Sequence, residues 1–107
     1  MSKTNHLNRS FLFVPGDRPE RFDKAITSGC DVVIIDLEDA VSPSNKDLAR
    51  SEVIKYLNDT TNNQVRCFVR INSIKTYDGL RDIIAFIDNE CLPDGIVLPM
   101  VDSAEEV

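Results

Sequence analysis

The chain has 107 residues, of which 42% are hydrophobic, and its formal net charge at pH 7 is −6. This length allows one modest domain with a hydrophobic core and is too short for two. The acidic balance argues against a protein that binds nucleic acid or an anionic membrane, because such proteins present a basic surface. No apolar segment approaches the roughly 20 residues that span a bilayer, and the polar N-terminus lacks the apolar core of a signal peptide. We therefore expect a cytoplasmic protein.

An apolar run and a short helical pattern form the first predicted unit. Residues 10–16 are apolar up to a Pro-Gly pair, which predicts a strand closed by a turn. Asp17 is expected to cap the helix that follows, with Pro19 in its first turn and Gly29 at its end.

The second predicted unit is a buried strand followed by an amphipathic helix. The strand, 31–41, is continuously apolar up to its acidic end, as expected where both faces of a strand are buried. In the helix, 44–58, the apolar residues share one side and the charged residues lie elsewhere. The apolar set is Ala49, Val53, Tyr56 and Leu57, and the charged set is Lys46, Asp47, Arg50 and Lys55.

The third predicted unit begins with a strand at 64–72. Apolar residues at spacings of three and four then mark a helix, namely Tyr77, Leu80, Ile83, Ile84 and Ile87. A fourth strand is predicted at 94–101, and Ser103 with Glu106 has the spacing of a capping box that begins a fourth helix. This β-α-β-α-β-α-β order predicts an α/β fold with parallel strands and right-handed helical crossovers.

The predicted elements divide the chain into a polar leader, 1–9, and a partial (β/α)8 barrel domain, 10–107. A complete TIM barrel takes about 250 residues and eight strands. This chain holds strands one to four and stops at the start of helix four. It is therefore expected to be the first half of such a barrel.

The cysteines and the histidine are not predicted to carry chemistry. Cys30, Cys67 and Cys91 lie at or near apolar segments without C-x-x-C spacing, which favours reduced core thiols over a metal or redox role. His6, the single histidine, lies in the polar leader and is interpreted as a solvated residue.

Charged residues gather where the predicted strands end. Asp36, Glu38 and Asp39 end the second strand, and Arg70 lies at the end of the third. In parallel β/α folds the carboxyl ends of the strands face the ligand site. Because side chains alternate along a strand, Asp36 and Glu38 share one face of the second strand, and Arg70 and Asn72 share one face of the third. If these faces line a barrel interior, the carboxylates and the guanidinium meet at the mouth of an apolar pocket.

Two interpretations of Arg70 stay open on spacing alone. Arg70 could close the top of the sheet as an ion pair with Asp36 or Glu38. Its planar guanidinium could instead bind the carboxylate of a small oxo-acid or hydroxy-acid through two parallel hydrogen bonds.

The segment after the first strand also has two interpretations. Arg18, Arg21 and Lys24 fall three apart along one flank of the first helix, near the helix end that favours phosphates. These residues also alternate with acidic ones, which is typical of a solvated helix face. The charge pattern alone favours the solvated face over a phosphate site.

Four motifs in this order resemble the N-terminal part of the citrate lyase beta subunit-like proteins of the HpcH/HpaI aldolase superfamily. They are FLFVPGDRPERFDKA, DVVIIDLEDAV, VRIN and DGIVLPMVDSAEEV, and the resemblance covers the chain from Ser10 onward. It implies a (β/α)8 barrel that uses Mg²⁺ to cleave or form a carbon–carbon bond. The bond joins an acyl-CoA or acyl-carrier thioester to a small oxo-acid such as glyoxylate, pyruvate or oxaloacetate.

The resemblance also implies residue roles. Arg70 matches the family arginine that binds the oxo-acid or hydroxy-acid carboxylate and helps to stabilise the enolate. Phe13, Arg18 and Lys24 match positions that contact substrate or the CoA phosphates. The motif around Arg18 favours a CoA thioester over an acyl carrier protein.

Two departures from the family pattern limit these roles. Met100 stands where the family commonly has a lysine. The family's Mg²⁺ ligands are a glutamate and an aspartate on later strands, so no metal ligand is expected within this chain. Asp36, Glu38 and Asp39 are interpreted as supporting acids that orient Arg70 or bind metal-bound water. The isolated chain is expected to be inactive as a lyase.

Two other functions are retained as alternatives. In the first, the chain is a non-catalytic fragment or a half barrel that folds by pairing with another chain, because an open parallel sheet has free edges and an uncovered apolar face. In the second, it is an aldolase that acts on oxo-acids without CoA. A homo-oligomer is expected in the lyase interpretation.

Overall fold

A parallel sheet covered on one face by helices makes up the part of the chain that the computed structural model describes, residues 10–59 and 65–99. Single 3₁₀ turns, Pro19–Arg21 and Pro43–Asn45, lead into the first two helices. In chain order the elements are β1 (Phe11–Pro15), α1 (Phe22–Ile26), β2 (Val32–Asp36), α2 (Lys46–Asp59), β3 (Arg66–Arg70), α3 (Tyr77–Asp88) and β4 (Gly95–Val97). The predicted alternation of strands and helices is confirmed.

The four strands lie in the order β1-β2-β3-β4, and each neighbouring pair is parallel. The register aligns Asp36 with Pro15 on one side and with Arg70 on the other. Arg70 in turn aligns with Val97. The carboxyl ends of all four strands therefore meet at one rim, as the strand-end argument requires.

The two faces of the sheet differ in what covers them. Alternate strand residues on one face pack with the helices in a single core that includes Val14, Val33, Ile35, Cys67 and Val69 from the strands and Phe22, Ala25, Val53 and Phe86 from the helices. The other face carries Phe13, Ile34 and Phe68, which are aligned in the register. Every residue of β2 is buried, so the prediction of a strand buried on both faces is confirmed.

Each strand is shorter than its predicted range. The second ends at Asp36 rather than at residue 41, because Leu37 to Val41 form a loop. The fourth comprises Gly95–Val97 within the predicted 94–101. The predicted features at His6, Met100, Ser103 and Glu106 lie outside the described residues.

The entry to the first helix differs from the prediction that Asp17 is its cap. The residue that precedes the 3₁₀ turn is Arg18, and no side chain caps this turn. Asp17 Oδ2 accepts a hydrogen bond from Asn45 Nδ2 at 3.0 Å, so this carboxylate joins two loops instead. Gly29 has φ +96°, a conformation that glycine adopts without strain, and it lies in the turn that ends the α1 unit as predicted.

The buried sides of α2 and α3 hold polar residues that the apolar pattern missed. Arg50, which the pattern placed away from the apolar side of α2, is buried, and so is Asp82 on α3. They are buried together because they form an ion pair. The helix at 77–88 is confirmed, but of its predicted apolar stripe only Ile83 packs against the core of the described region. Tyr77, Leu80, Ile84 and Ile87 are each more than half exposed.

The three cysteines are free thiols in the structure, as predicted. Cys67 and Cys91 are buried and Cys30 is half-buried. Burial raises the pKa of the Cys67 thiol to about 12, so this thiol stays protonated and is a poor nucleophile.

None of the helices within residues 10–59 and 65–99 is both long and apolar enough to cross a membrane.

Candidate functional site

The centre of the rim is a bidentate ion pair between β2 and β3. Arg70 Nε donates to Asp36 Oδ1 at 2.9 Å, and Arg70 Nη2 donates to Asp36 Oδ2 at 2.6 Å. These residues are direct neighbours in the parallel register, so the strand pairing itself brings the two groups together. The predicted ion pair of Arg70 with Asp36 is therefore present, and its presence does not decide between the two interpretations of Arg70.

Asp36 is fixed by four hydrogen bonds in total. Besides the two from Arg70, its Oδ1 accepts from the Glu38 amide at 2.8 Å and its Oδ2 from the Ala40 amide at 3.0 Å. Burial raises the pKa of Asp36, but the hydrogen bonds from Arg70 and from these amides outweigh burial, so the pKa lies below its usual value. Asp36 is therefore an ionised carboxylate with both oxygens occupied.

Arg70 keeps donors that Asp36 does not use. A guanidinium has five N–H groups, and the Asp36 pair takes two of them. The side chain is 24% exposed, and the hydrogen bonds to Asp36 raise its pKa above the ordinary arginine value. Arg70 is thus a permanently charged group with one side fixed and N–H groups left for an anion.

Two further side chains contact the guanidinium. Its central carbon lies 5.1 Å from the centre of the Phe13 ring, a cation–π contact. Glu38 Oε1 lies 3.6 Å from Arg70 Nε, which is an ion pair but too long for a hydrogen bond. The structure therefore brings three sequence-predicted residues, Phe13, Asp36 and Glu38, around Arg70.

The acidic residues after β2 do not form a metal site by themselves. Within the described parts of the chain, no three His, Cys, Asp or Glu side chains converge where they could hold a metal ion. Both Asp36 oxygens are already hydrogen-bonded, and Asp39 is exposed. Burial, and then the charge of Asp39, raise the pKa of Glu38. This donor set does not fit Mg²⁺.

A groove of about 270 Å³ runs beside β1 and α1. Its lining includes Phe13 and two cations, Arg21 and Lys24. Arg18 is exposed at the preceding turn and is not part of this lining. Phe13 therefore borders both the groove and the guanidinium of Arg70.

A buried network beneath the rim was not predicted. Arg50 Nε donates to Asp82 Oδ1 at 2.8 Å. Asp82 Oδ2 accepts from both the backbone and the side-chain nitrogen of Asn72, each at 2.8 Å. Asn72 lies two residues after Arg70, so this network anchors the chain where it leaves the sheet. The only sequence signal is an aspartate between apolar positions of α3, which does not reveal its partner.

Comparison with known proteins places this chain in a family. Residues 9–107 match the family model described as HpcH/HpaI aldolase/citrate lyase. A curated relative, the L-malyl-CoA/beta-methylmalyl-CoA lyase of Cereibacter sphaeroides, is 37% identical over 101 residues, which cover 94% of this chain and 32% of that protein. The chain thus spans about a third of the length of this curated relative.

Two solved structures share the fold. One is a citrate lyase beta subunit from Mycobacterium tuberculosis complexed with oxaloacetate and magnesium. It is 40% identical with a TM-score of 0.66, over 91% of this chain and 40% of that one. The other is the protein CitE from Mycobacterium tuberculosis in complex with magnesium, acetoacetate and coenzyme A. It is also 40% identical, with a TM-score of 0.65, over 91% of this chain and 34% of that one.

Proposed function

The chain belongs to the HpcH/HpaI aldolase/citrate lyase family, and on that premise we propose that it is the N-terminal part of a Mg²⁺-dependent carbon–carbon lyase. The reaction is the cleavage or formation of a 3-hydroxyacyl-CoA-type thioester, with acyl-CoA and a small oxo-acid as the other partners. The observation that supports it most is Arg70, which Asp36 fixes on one side while N–H groups remain on the other.

Arg70 is proposed to bind the acid. Its free N–H groups match the two oxygens of a carboxylate, and its fixed charge would stabilise negative charge that develops next to that carboxylate during cleavage. Asp36 holds the guanidinium in one orientation, so little reorganisation is needed when the acid arrives. Glu38 and Asp39 are proposed to act as supporting acids at the same rim.

The charge of the rim is consistent with a requirement for a metal ion. Three carboxylates, of Asp36, Glu38 and Asp39, surround one guanidinium, so an anionic oxo-acid would meet net negative charge. A bound Mg²⁺ polarises the oxo group and supplies the missing positive charge. The described residues do not themselves offer a ligand set that fits this ion.

The groove beside β1 is proposed to bind the CoA portion. Lys24 and Arg21 offer two cations to phosphate groups, and the Phe13 ring forms an apolar wall between them and Arg70. Arg18, which the family resemblance assigns to the same task, lies at the turn before α1 and would contact a phosphate outside the groove.

The two groove cations are expected to contribute to CoA binding. Lys24→Ala and Arg21→Ala should each weaken CoA binding about fivefold, since an exposed ionic contact contributes about 1 kcal/mol. Arg18→Ala tests the residue that the resemblance favours. Lys55→Ala, which removes an exposed lysine from α2, is the control, and calorimetric titration gives the affinities. Weak binding that is unchanged by all three substitutions, Lys24→Ala, Arg21→Ala and Arg18→Ala, would favour the aldolase that acts without CoA.

The proposed reaction is tested in a completed chain. Residues 1–99 of this protein are joined to the C-terminal two thirds of the Cereibacter sphaeroides lyase, and malyl-, methylmalyl- and citramalyl-CoA are offered as substrates. We expect cleavage of at least one thioester that is lost when EDTA removes Mg²⁺. A folded completed chain that cleaves none of them would contradict the proposal, and the relative's C-terminal segment alone is the control.

A partner-dependent half barrel is the second candidate. It is favoured by the exposed apolar stripe of α3, Tyr77, Leu80, Ile84 and Ile87, and by the free outer edges of β1 and β4 in the described sheet. Light scattering of the 107-residue chain should then give the mass of a dimer or larger assembly. A stable monomer across the accessible concentration range would exclude obligatory pairing.

A further inference from the structure

Lys46, which the site described so far does not use, holds the loop that carries the supporting acids. Its Nζ donates to the backbone carbonyls of Leu37, Glu38 and Val41 at 3.0, 2.8 and 3.1 Å. An ammonium group has three N–H donors, and these three carbonyls account for all of them. Lys46 therefore offers no N–H group to a ligand, and its charge serves the loop.

The same loop faces Asp36 with its amides. The Glu38 and Ala40 amides donate to the two carboxylate oxygens of Asp36, whereas loop carbonyls point to Lys46. The peptide group between Leu37 and Glu38 lies between the two charges, since its N–H donates to Asp36 and its carbonyl accepts from Lys46. Each charge polarises this group in the direction that strengthens its hydrogen bond to the other charge. The loop thus couples the position of the Lys46 ammonium to the position of the Asp36 carboxylate.

A second contact fixes the first residue of this loop. The Leu37 carbonyl accepts from Asn72 Nδ2 at 3.0 Å as well as from Lys46, and the Leu37 amide donates to the Arg70 carbonyl at 2.9 Å. Lys46 and Asn72 therefore converge on the peptide group that joins Leu37 to Glu38, whose N–H donates to Asp36. Movement of Leu37 would turn the Asp36 oxygens away from the guanidinium.

We propose that Lys46 is a positioning residue for the acid-binding guanidinium: it holds the 37–41 loop in the conformation in which Asp36 binds Arg70 with both oxygens. This inference rests on the proposed function in assigning the acid to Arg70. It concerns the ion pair itself, however, and is measured without substrate.

The test is hydrogen exchange at the arginine Nε–H groups of the ¹⁵N-labelled 107-residue chain. In Lys46→Met the Arg70 Nε–H, which donates to Asp36, should exchange about tenfold faster than in the unchanged chain. The Arg50 Nε–H, which donates to the buried Asp82, should keep its rate. Lys55→Met is the matched control, because it makes the same change on the same helix at an exposed lysine, and it should leave both rates unchanged.

A second variant keeps the test decisive if Lys46→Met does not fold. Lys46→Gln retains two N–H donors, so it should raise the Arg70 rate by a smaller factor, about threefold. Equal Arg70 rates in the Lys46 and Lys55 variants would overturn the proposal. A rise of equal size at Arg50 and Arg70 would also overturn it, because it would mean general loosening. Failure of the completed chain to cleave any thioester would leave this result unaffected and would count against the proposed function alone.

Discussion

Arg70→Lys in the completed chain should lower kcat/KM for thioester cleavage by about 100-fold or more. Lysine carries the same charge, but it is a point donor that cannot bind Asp36 and a substrate carboxylate through parallel pairs of hydrogen bonds. Loss of one such charged hydrogen bond is worth about 1.5–3 kcal/mol, and loss of a donor that stabilises developing charge costs about 10²–10³ in rate. Steady-state kinetics with saturating Mg²⁺ measures the effect.

Arg66→Lys is the matched control for this substitution. Arg66 begins the same strand, and because side chains alternate it lies on the same face of the sheet as Arg70. It is exposed, so its replacement should change kcat/KM less than about twofold. If Arg70→Lys were as active as Arg66→Lys, Arg70 would be only a structural partner of Asp36.

Asp82→Ala should lower the free energy of unfolding of the 107-residue chain by about 3–5 kcal/mol, the usual cost of removing one partner of a buried ion pair. The substitution leaves the buried Arg50 guanidinium without its partner at Nε and the Asn72 amide without its acceptor, while Arg50 keeps its ion pairs with Asp47 and Asp78. Urea unfolding followed by circular dichroism measures the change. Since single domains unfold with about 5–15 kcal/mol, this is a large fraction of the total.

Asp78→Ala provides the comparison for Asp82→Ala. Asp78 lies on the same helix and contacts the same arginine, but its side chain is 39% exposed and the ion pair is 3.2 Å long. Its removal should cost less than about 1 kcal/mol, as for other surface pairs. The double variant Arg50→Met/Asp82→Leu should lose less than the sum of its single variants, because neither charge is then left unpaired. Additive losses would mean that Arg50 and Asp82 each contribute to the free energy of unfolding independently of the other.

The part of the rim site that depends on which strand ends are neighbours in the sheet could be predicted from the sequence. In a parallel sheet the end of β2 lies beside the end of β3, so Asp36 and Arg70 were expected to meet, and the register brings them together. The bidentate geometry and the exposed remainder of Arg70 could not be predicted, because they depend on the loop amides that fix the carboxylate.

The polar residues behind the rim could not be predicted because their burial depends on partners distant in sequence. Arg50 and Asp82 each look like a surface charge on an amphipathic helix, and only the packing of α2 against α3 makes them a buried pair. For the apolar stripe of α3 the error is the reverse, because residues that look buried are mostly exposed. The spacing correctly predicts a helix, but spacing does not tell which side of a helix the rest of the chain covers.

The family resemblance assigns Phe13, Arg18 and Lys24 to the substrate or the CoA phosphates, and this assignment stays a prediction. In the structure, Phe13 and Lys24 border one groove together with Arg21, and Arg18 does not. On a regular helix, residues spaced three apart, as Arg18, Arg21 and Lys24 are, lie on nearly the same side. Here a 3₁₀ turn precedes a helix of only five residues. That break leaves Arg18 at the turn and turns Arg21 toward the groove.

The central claim is that Arg70 binds the carboxylate of the acid, and its Nε–H resonance tests this most directly. The ¹⁵N-labelled completed chain is titrated with oxaloacetate in the presence of Mg²⁺, with sodium chloride at equal ionic strength as the control. The account predicts a saturable shift of the Arg70 resonance while the Arg50 resonance, whose Nε–H is held by Asp82, stays in place. An Arg70 resonance that moves no more with oxaloacetate than with chloride, or no more than that of Arg50, would contradict it.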